Sequence, residues 1–205
     1  AGIGYTGIRI RGISAQSTNI TINGIPFNDA ESHGTYWVNL PDFSSSVESL
    51  QVQRGVGTST NGSGAFGSSI NILTDGISED PYAEISNSFG SYDSRKHTVK
   101  FSSGLLNDSF EISGRLSKID SDGYVDRAFS DLKSYFLQGA YKRGNTFLKA
   151  LAFGGHEKTY QAWDGLSKEQ IKENRRQNPL TYENEIDNYK QDHYQMHLNQ
   201  KIGSK

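Results

Sequence analysis

The side chains of this 205-residue chain that could do chemistry fall into no catalytic spacing. Gly2, Gly4 and Gly7 match the G-x-G-x-x-G pattern that lets backbone amides approach a pyrophosphate, but that chemistry needs a strand before the glycines and a helix after them. No strand precedes them, and Ile8-Arg-Ile-Arg11 alternates as a strand does, so they read as a glycine-rich turn. Asp29, Glu31 and His33 are metal-ligand types within one loop. They follow no ligand template and read as a solvated loop. His193 and His197 share one face of an extended segment, four positions apart, too far to chelate together. There is no cysteine, which excludes disulfide scaffolds, CxxC redox chemistry and cysteine-based zinc sites. G-x-S-x-G, H-E-x-x-H and P-loop motifs are absent, so neither an enzyme nor a bound cofactor or metal is expected. Sequons at Asn19, Asn61 and Asn107 would matter only in a eukaryotic secretory setting, for which nothing speaks.

The elements that would position these residues are strands. Hydrophobic residues make up 34% of the chain, a low share, while glycine and tyrosine are plentiful. That is too little apolar material for a two-sided core, and it suggests strands with one apolar and one polar face. A net charge of -2 with scattered Lys and Arg gives no case for a nucleic-acid partner. No apolar run approaches the roughly 20 residues of a transmembrane helix. No signal peptide is visible, and the chain starts without Met, so a segment of a longer protein is expected.

Ile8–Gly12 is expected to be a short strand, Ile13–Asn19 a polar turn, and Ile20–Ile22 a strand leading into the turn dipeptide Asn23-Gly24. Asn28–Val38 is a loop rich in polar and aromatic groups, and Ser44–Ser46 a short helical turn. Val47–Gly55 then reads as a half-buried strand in which Leu50 and Val52 alternate with Gln51 and Gln53. A loop containing Gly55, Gly57, Gly62, Gly64 and Gly67 permits tight reversals, and Ile70–Thr74 restarts the alternation.

Five pieces stand in order: Arg9-Ile-Arg-Gly12, Thr21-Ile-Asn-Gly-Ile-Pro26, Val52-Gln-Arg-Gly55, Asn61-Gly-Ser-Gly-Ala-Phe-Gly67 and Ile70-Asn-Ile-Leu-Thr74. In order and rough spacing they resemble the plug domain of TonB-dependent outer-membrane receptors, in particular those that take up siderophores and other iron complexes. The resemblance implies that Arg11 and Arg54 latch the plug to carboxylates on the inner barrel wall, where a guanidinium makes bidentate, charge-assisted bonds. The alternative is two solvated strand-end arginines. It also implies that Ile13–Asn19 and Asn28–Val38 are apices facing the outside, with Gln16, Ser17, Glu31, His33, Tyr36 and Trp37 as candidate ligand contacts. For Trp37, packing onto the plug is an equal alternative.

From Pro81 the texture changes to six alternating segments. Ala83, Ile85 and Phe89 share one face; so do Val99 and Phe101, then Phe110, Ile112 and Leu116, then Tyr135, Leu137 and Tyr141, then Tyr194, Met196 and Leu198. Phe147–Gly155 is apolar on both faces and its parity stays open. A soluble sheet with one wet face would alternate in the same way. The connections discriminate better. Tyr92–Ser94, expected outside, is short, as are Leu105–Asp108 and Gly144-Asn145, whereas Asp120–Asp131 and Lys158–Asn188 are long; after the first hairpin short and long connections alternate, the asymmetry of periplasmic turns and outer loops. In the last loop Ser167 and Gln170 form a capping-box pattern before a polar helix over Lys168–Arg176. Tyr160 and Trp163, with Tyr182, are further candidate ligand contacts.

The expected fold is therefore mainly β: an α+β plug over residues 1–76, then the first six antiparallel strands of a transmembrane barrel over 77–205. Family barrels have roughly 22 strands, so six cannot close. The resemblance implies active uptake of a scarce ligand across a Gram-negative outer membrane. A ferric chelate is expected, with cobalamin or haem open. Its other partners would be the lipid bilayer and TonB, the latter through a segment upstream of this chain. A passive surface barrel or adhesin is the alternative.

Overall fold

The computed structural model describes residues 3–55 and 67–203; Gly57, Gly62, Gly64 and the rest of the expected glycine loop lie outside the described residues. The chain divides into two compact units. The first comprises Thr6–Trp37 and Phe43–Gly76, and the second Ala1–Tyr5, Val38–Asp42 and Ile77–Lys205. Two short pieces of the region read as plug thus cluster with the later strands.

The first unit is built on a four-stranded sheet of order β2-β1-β4-β3. Its strands are β1 (Thr18–Ile22), β2 (Ile25–Pro26), β3 (Val47–Arg54) and β4 (Ser68–Thr74). β1 and β2 form a hairpin whose turn residues Asn23 and Gly24 have φ of 54° and 80°. A two-residue turn of that hand needs positive φ at both positions, which Asn and Gly supply at least cost. β1 and β4 run parallel, so Ile20 faces Ile70 and Ile22 faces Ile72, and all four are buried. Ile8–Gly12 is not a strand. It makes a single bridge, Ile10 to Ile13, because Arg11 and Gly12 turn the backbone at φ of 55° and 77°. β3 forms, but Leu50 and Val52 are exposed rather than half-buried, since β3 is an edge and only β1 and β4 are central.

The second unit is an antiparallel six-stranded sheet in sequence order: β5 (Pro81–Gly90), β6 (Ser94–Ser103), β7 (Phe110–Ser121), β8 (Ser130–Arg143), β9 (Thr146–Tyr160) and β10 (Ile186–Gln200). The shortest has 10 residues and the longest 15, enough for a tilted strand to span a bilayer. Two connections are shorter than expected, because β7 to β10 extend outward through polar rungs such as Asp120–Asp131 and Lys158–Asn188 that carry no apolar alternation. The loops are therefore 122–129 and 161–185.

The two faces of this sheet have inverted polarity. Ile85, Phe89, Val99, Phe101, Phe110, Ile112, Leu116, Leu137, Tyr194, Met196 and Leu198 are exposed. Thr98, Ser102, Glu111, Ser113, Arg115, Ser117, Ser134 and Gln138, on the opposite face, are buried. A water-soluble sheet hides the first set and shows the second. The register settles Phe147–Gly155: Phe153 pairs with Phe136 and Leu151 with Gln138 on the inner face, leaving Leu148, Ala150 and Ala152 outside beside Leu198, Met196 and Tyr194. On the outer face Gly114 is covered by neighbours in register, since a Cβ there would meet Phe101 and Leu137 carbons at 2.9 Å.

Candidate functional site

In the first unit the apex residues gather at one end of β1. Gln16 and Ser17 occupy a 3-10 turn, Ala15–Ser17, immediately before the strand. The Asn28 amide donates to the carbonyls of Thr18 and His33, each at 2.9 Å, and its oxygen accepts from Ile20 N–H at 2.7 Å. That one side chain ties the loop carrying Glu31, His33 and Tyr36 to the start of β1. Asp29 shapes the loop further: its Oδ1 accepts from the backbone N–H of Ser32 at 2.7 Å and of Glu31 at 3.1 Å, and from the Ser32 hydroxyl at 2.8 Å. Those bonds hold the Asp29 carboxyl below the usual carboxylate range, with the Ser32 amide as the largest cause. Among the described residues no group of three His, Asp or Glu side chains is placed to hold a metal ion. Gln16, Glu31, His33 and Tyr36 are exposed; Trp37 is partly covered and stacks on Phe27, centroids 6.4 Å apart. Trp37 therefore takes part in packing, while the other four present hydrogen-bonding and aromatic tips to solvent.

In the second unit the segment Val38–Asp42 lies on the inner face of the sheet. Gly155 makes room for it: a Cβ there would sit 2.3 Å from the Asn39 carbonyl and 2.5 Å from the Pro41 ring. Pro41 blocks continuation of the preceding 3-10 turn, and Asp42 adopts φ 55°, a left-handed conformation that Asp tolerates. This aims the Asp42 carboxylate into the wall. Its Oδ1 accepts from Lys96 Nζ, and its Oδ2 accepts from the hydroxyls of Thr98 (2.9 Å) and Ser117. Arg115 Nη1 is 3.5 Å from the same oxygen and donates to Ser117 Oγ at 2.7 Å and Ser134 Oγ at 3.0 Å. The Asp42 and Arg115 side chains are each 1% exposed. A buried ion pair is tolerated only when its remaining polar atoms are satisfied, and here three hydroxyls supply that. Nothing in the sequence singled out Asp42 or Arg115.

Two other inner-face clusters, around Glu111 and around Thr159, hold neighbouring chain. Glu111, 1% exposed, accepts from Ser102 Oγ at 2.7 Å, Ser78 N–H at 3.2 Å and Gln138 Nε2 at 3.2 Å, which fixes the strand's approach from Ile77. Tyr5 shares a 2.7 Å hydrogen bond with Thr159 Oγ1 beside Glu157 and Asp187, and burial pushes its phenol up to about 12. Trp163 meets the Tyr5 ring edge-on at 4.3 Å yet remains half exposed to solvent.

Tyr160 is placed differently from Trp163. It is 3% exposed, and its hydroxyl donates to the carbonyls of Tyr182 at 2.6 Å and Leu180 at 3.1 Å. It pins the outer loop rather than presenting a surface. Arg127 stacks over its ring at 5.6 Å and donates to the Asn178 carbonyl at 3.0 Å. Asn178, 2% exposed, donates to the carbonyls of Asp126 and Gln161. Loops 122–129 and 161–185 are thus stitched together around an open cleft of 360 Å³ lined by Tyr124, Asp164, Leu166, Ile171 and Arg175 among others. The helix α1 (Lys168–Glu173) carries the expected capping box, with Ser167 Oγ accepting from Gln170 N–H and Gln170 Oε1 accepting from Ser167 N–H. Arg11 and Arg54 are exposed and in no ion pair among the described residues. His193 faces inward, stacked on Phe153 at 5.0 Å.

Comparison with known proteins agrees with this geometry. Residues 1–69 match the family model of the TonB-dependent receptor plug domain. Over 117 residues, 57% of this chain, it is 32% identical to the vitamin B12 transporter BtuB of Vibrio vulnificus. The chain spans only 19% of that relative's length. Among solved structures it resembles the unliganded ferric citrate transporter FecA, with a TM-score of 0.70 at 17% identity over 86% of this chain and 28% of that one. It also resembles the pyoverdine receptor FpvA of Pseudomonas aeruginosa, with a TM-score of 0.64 at 16% identity over 78% of this chain and 23% of that one.

Proposed function

We propose that this chain belongs to the TonB-dependent outer-membrane receptors and supplies plug and first wall strands to a receptor that pumps a scarce ligand inward. The observation that carries this is the union, in one chain, of a plug-domain match over residues 1–69 with a wall whose exposed face carries an apolar band and whose buried face is rich in polar and charged side chains. Such a wall is stable only when lipid covers the outer face. The ligand meets Gln16, Ser17, Glu31, His33, Tyr36 and Trp37 on the plug apices and Trp163 on the outer loop, with Tyr160 holding that loop in place. TonB, acting upstream of this chain, then pulls on the plug.

Segment Val38–Asp42 sets a condition on that pull. It is continuous with the first unit on both sides and is gripped by the wall through Asp42. Movement of the plug must either leave this point fixed or break a buried ion pair, which costs on the order of 3–5 kcal/mol. An energised pull supplies such work, whereas a passive barrel has no need of the joint. Arg11 and Arg54 would add further latches on wall strands beyond this chain.

The ligand proposed is a ferric chelate. The apices are polar and aromatic, and two proteins of like fold are a ferric citrate transporter and a pyoverdine receptor. The relative with 32% identity transports vitamin B12, so cobalamin is the direct competitor. Uptake of labelled ferric siderophore, cobalamin and haem by cells with and without the receptor, each with and without an uncoupler, decides both points. Uncoupler-sensitive ferric uptake supports the reading. Uncoupler-insensitive uptake overturns the pump, and uptake of cobalamin alone overturns the ferric ligand.

A further inference from the structure

The strand register aligns five basic or imidazole side chains in one row on the outer face. His97 pairs with Lys118, Lys118 with Lys133, Lys133 with His156, and His156 with Lys190, one residue from each of β6 to β10. The lysines are well exposed, at 46% for Lys118, 55% for Lys133 and 68% for Lys190. The rung directly below holds Val99, Leu116, Tyr135, Gly154 and Asp192, and the rung below that Phe101, Gly114, Leu137, Ala152 and Tyr194. The row therefore sits where the apolar band ends, on the side of the long loops.

Like charges directly opposite one another destabilise a sheet pair, and Lys118 faces Lys133. Carboxylates compensate in part. Asp120 lies 3.0 Å from Lys118, Asp131 lies 3.9 Å from both Lys118 and Lys133, and Asp192 lies 3.4 Å from Lys190 while accepting from the Tyr135 hydroxyl. Lys133 and Lys190 are left more than half open, with long contacts. The side rings are oriented by neighbours: the nearest nitrogens of His97 and His156 lie 2.6 and 2.7 Å from the amide oxygens of Asn87 and Asn188.

We propose that this row binds the phosphate groups of anionic lipids in the outer leaflet, with Lys118, Lys133 and Lys190 as the charge-bearing contacts. A line of cations at the polar edge of an apolar band complements a plane of phosphates whose acyl chains cover the band below. The inference rests on the outer-membrane reading above. It goes beyond that reading by naming the lipid chemistry and the residues that select it.

The test uses the full receptor containing this chain, refolded in neutral phosphatidylcholine vesicles and, separately, exposed to bisphosphorylated lipid A or to the same lipid stripped of phosphate. Retained lipid is read by native mass spectrometry. The heat-dependent gel shift of a folded barrel confirms insertion first, which tests the outer-membrane reading independently. The wild type is expected to retain the phosphorylated lipid at least tenfold better than the stripped one, with retention falling as salt rises. K118Q/K133Q/K190Q is expected to lose that preference while still folding. Equal retention of the two lipids by the inserted wild type overturns the proposal, even if the variant fails to fold. Undiminished preference in a folded variant overturns it as well.

Discussion

The plug sheet and the wall sheet are made from the same alternating β pattern, yet they bury opposite things. In the first, Ile20, Ile22, Ile70 and Ile72 meet in a dry centre. In the second, Arg115, Glu111, Gln138 and a line of serines are buried, beside Phe136, Phe153, Leu132 and Leu151, while Ile85, Phe89, Leu116, Met196 and Leu198 stand exposed. The difference shows that period-2 alternation states only that a strand has two unlike faces. Which face goes inward is set by the medium outside, which on the proposed reading is water for one sheet and lipid for the other. The two sheets should therefore respond oppositely to the same kind of substitution.

The largest effect is expected at the polar interior. Replacing Asp42 with Ala removes the buried carboxylate that Lys96, Thr98, Arg115 and Ser117 contact and should cost about 3–5 kcal/mol, read as a lower urea midpoint of the receptor in vesicles. Asp42→Ala with an unshifted midpoint would show that the wall does not depend on this buried polar contact. That would break the contrast with the plug. In the dry core, Ile22→Ala should cost about 2–5 kcal/mol through lost contacts and cavity formation, independent of lipid composition. A smaller effect belongs to the outer loops, which obey the ordinary rules of a helix in water. Ser167→Ala removes the cap of α1 and should cost about 1 kcal/mol, measured as faster amide exchange over Lys168–Glu173. The smallest concerns Asp29. Its folded carboxyl titrates below the ordinary value of about 3.9, so the loop is at full strength above that value and loosens only as pH falls through the depressed one. NMR titration of the Ser32 amide should follow that carboxyl, and a Ser32 shift that titrates at or above the ordinary value would contradict the turn.

Much of this was legible from the chain. Alternation gave the six wall strands, Asn23-Gly24 the hairpin and Ser167 with Gln170 the helix start, because each depends on neighbours in sequence. Ile8–Arg11 misled for a related reason: its alternation is that of a strand, but Arg11 and Gly12 take left-handed conformations that turn the chain. The outer rungs of β7 to β10 were hidden because most of their pairs, such as Asp120 with Asp131 and Lys158 with Asn188, are polar. Asp42 was invisible, since its partners Lys96, Thr98, Arg115 and Ser117 lie 54 to 75 residues away and only the register brings them together. Tyr160 looked like a ligand contact for its residue type, and its hydroxyl is taken up by two carbonyls no local pattern announces.

The inversion of the wall is tested most directly at Leu137, which is 44% exposed on the outer face in the middle of the apolar band. Urea unfolding of the receptor in lipid vesicles should show Leu137→Arg losing about 2–4 kcal/mol, the cost of a charge deep within the bilayer. Leu137→Arg indistinguishable from wild type, as for any exposed residue on a sheet facing water, would contradict a lipid-facing wall.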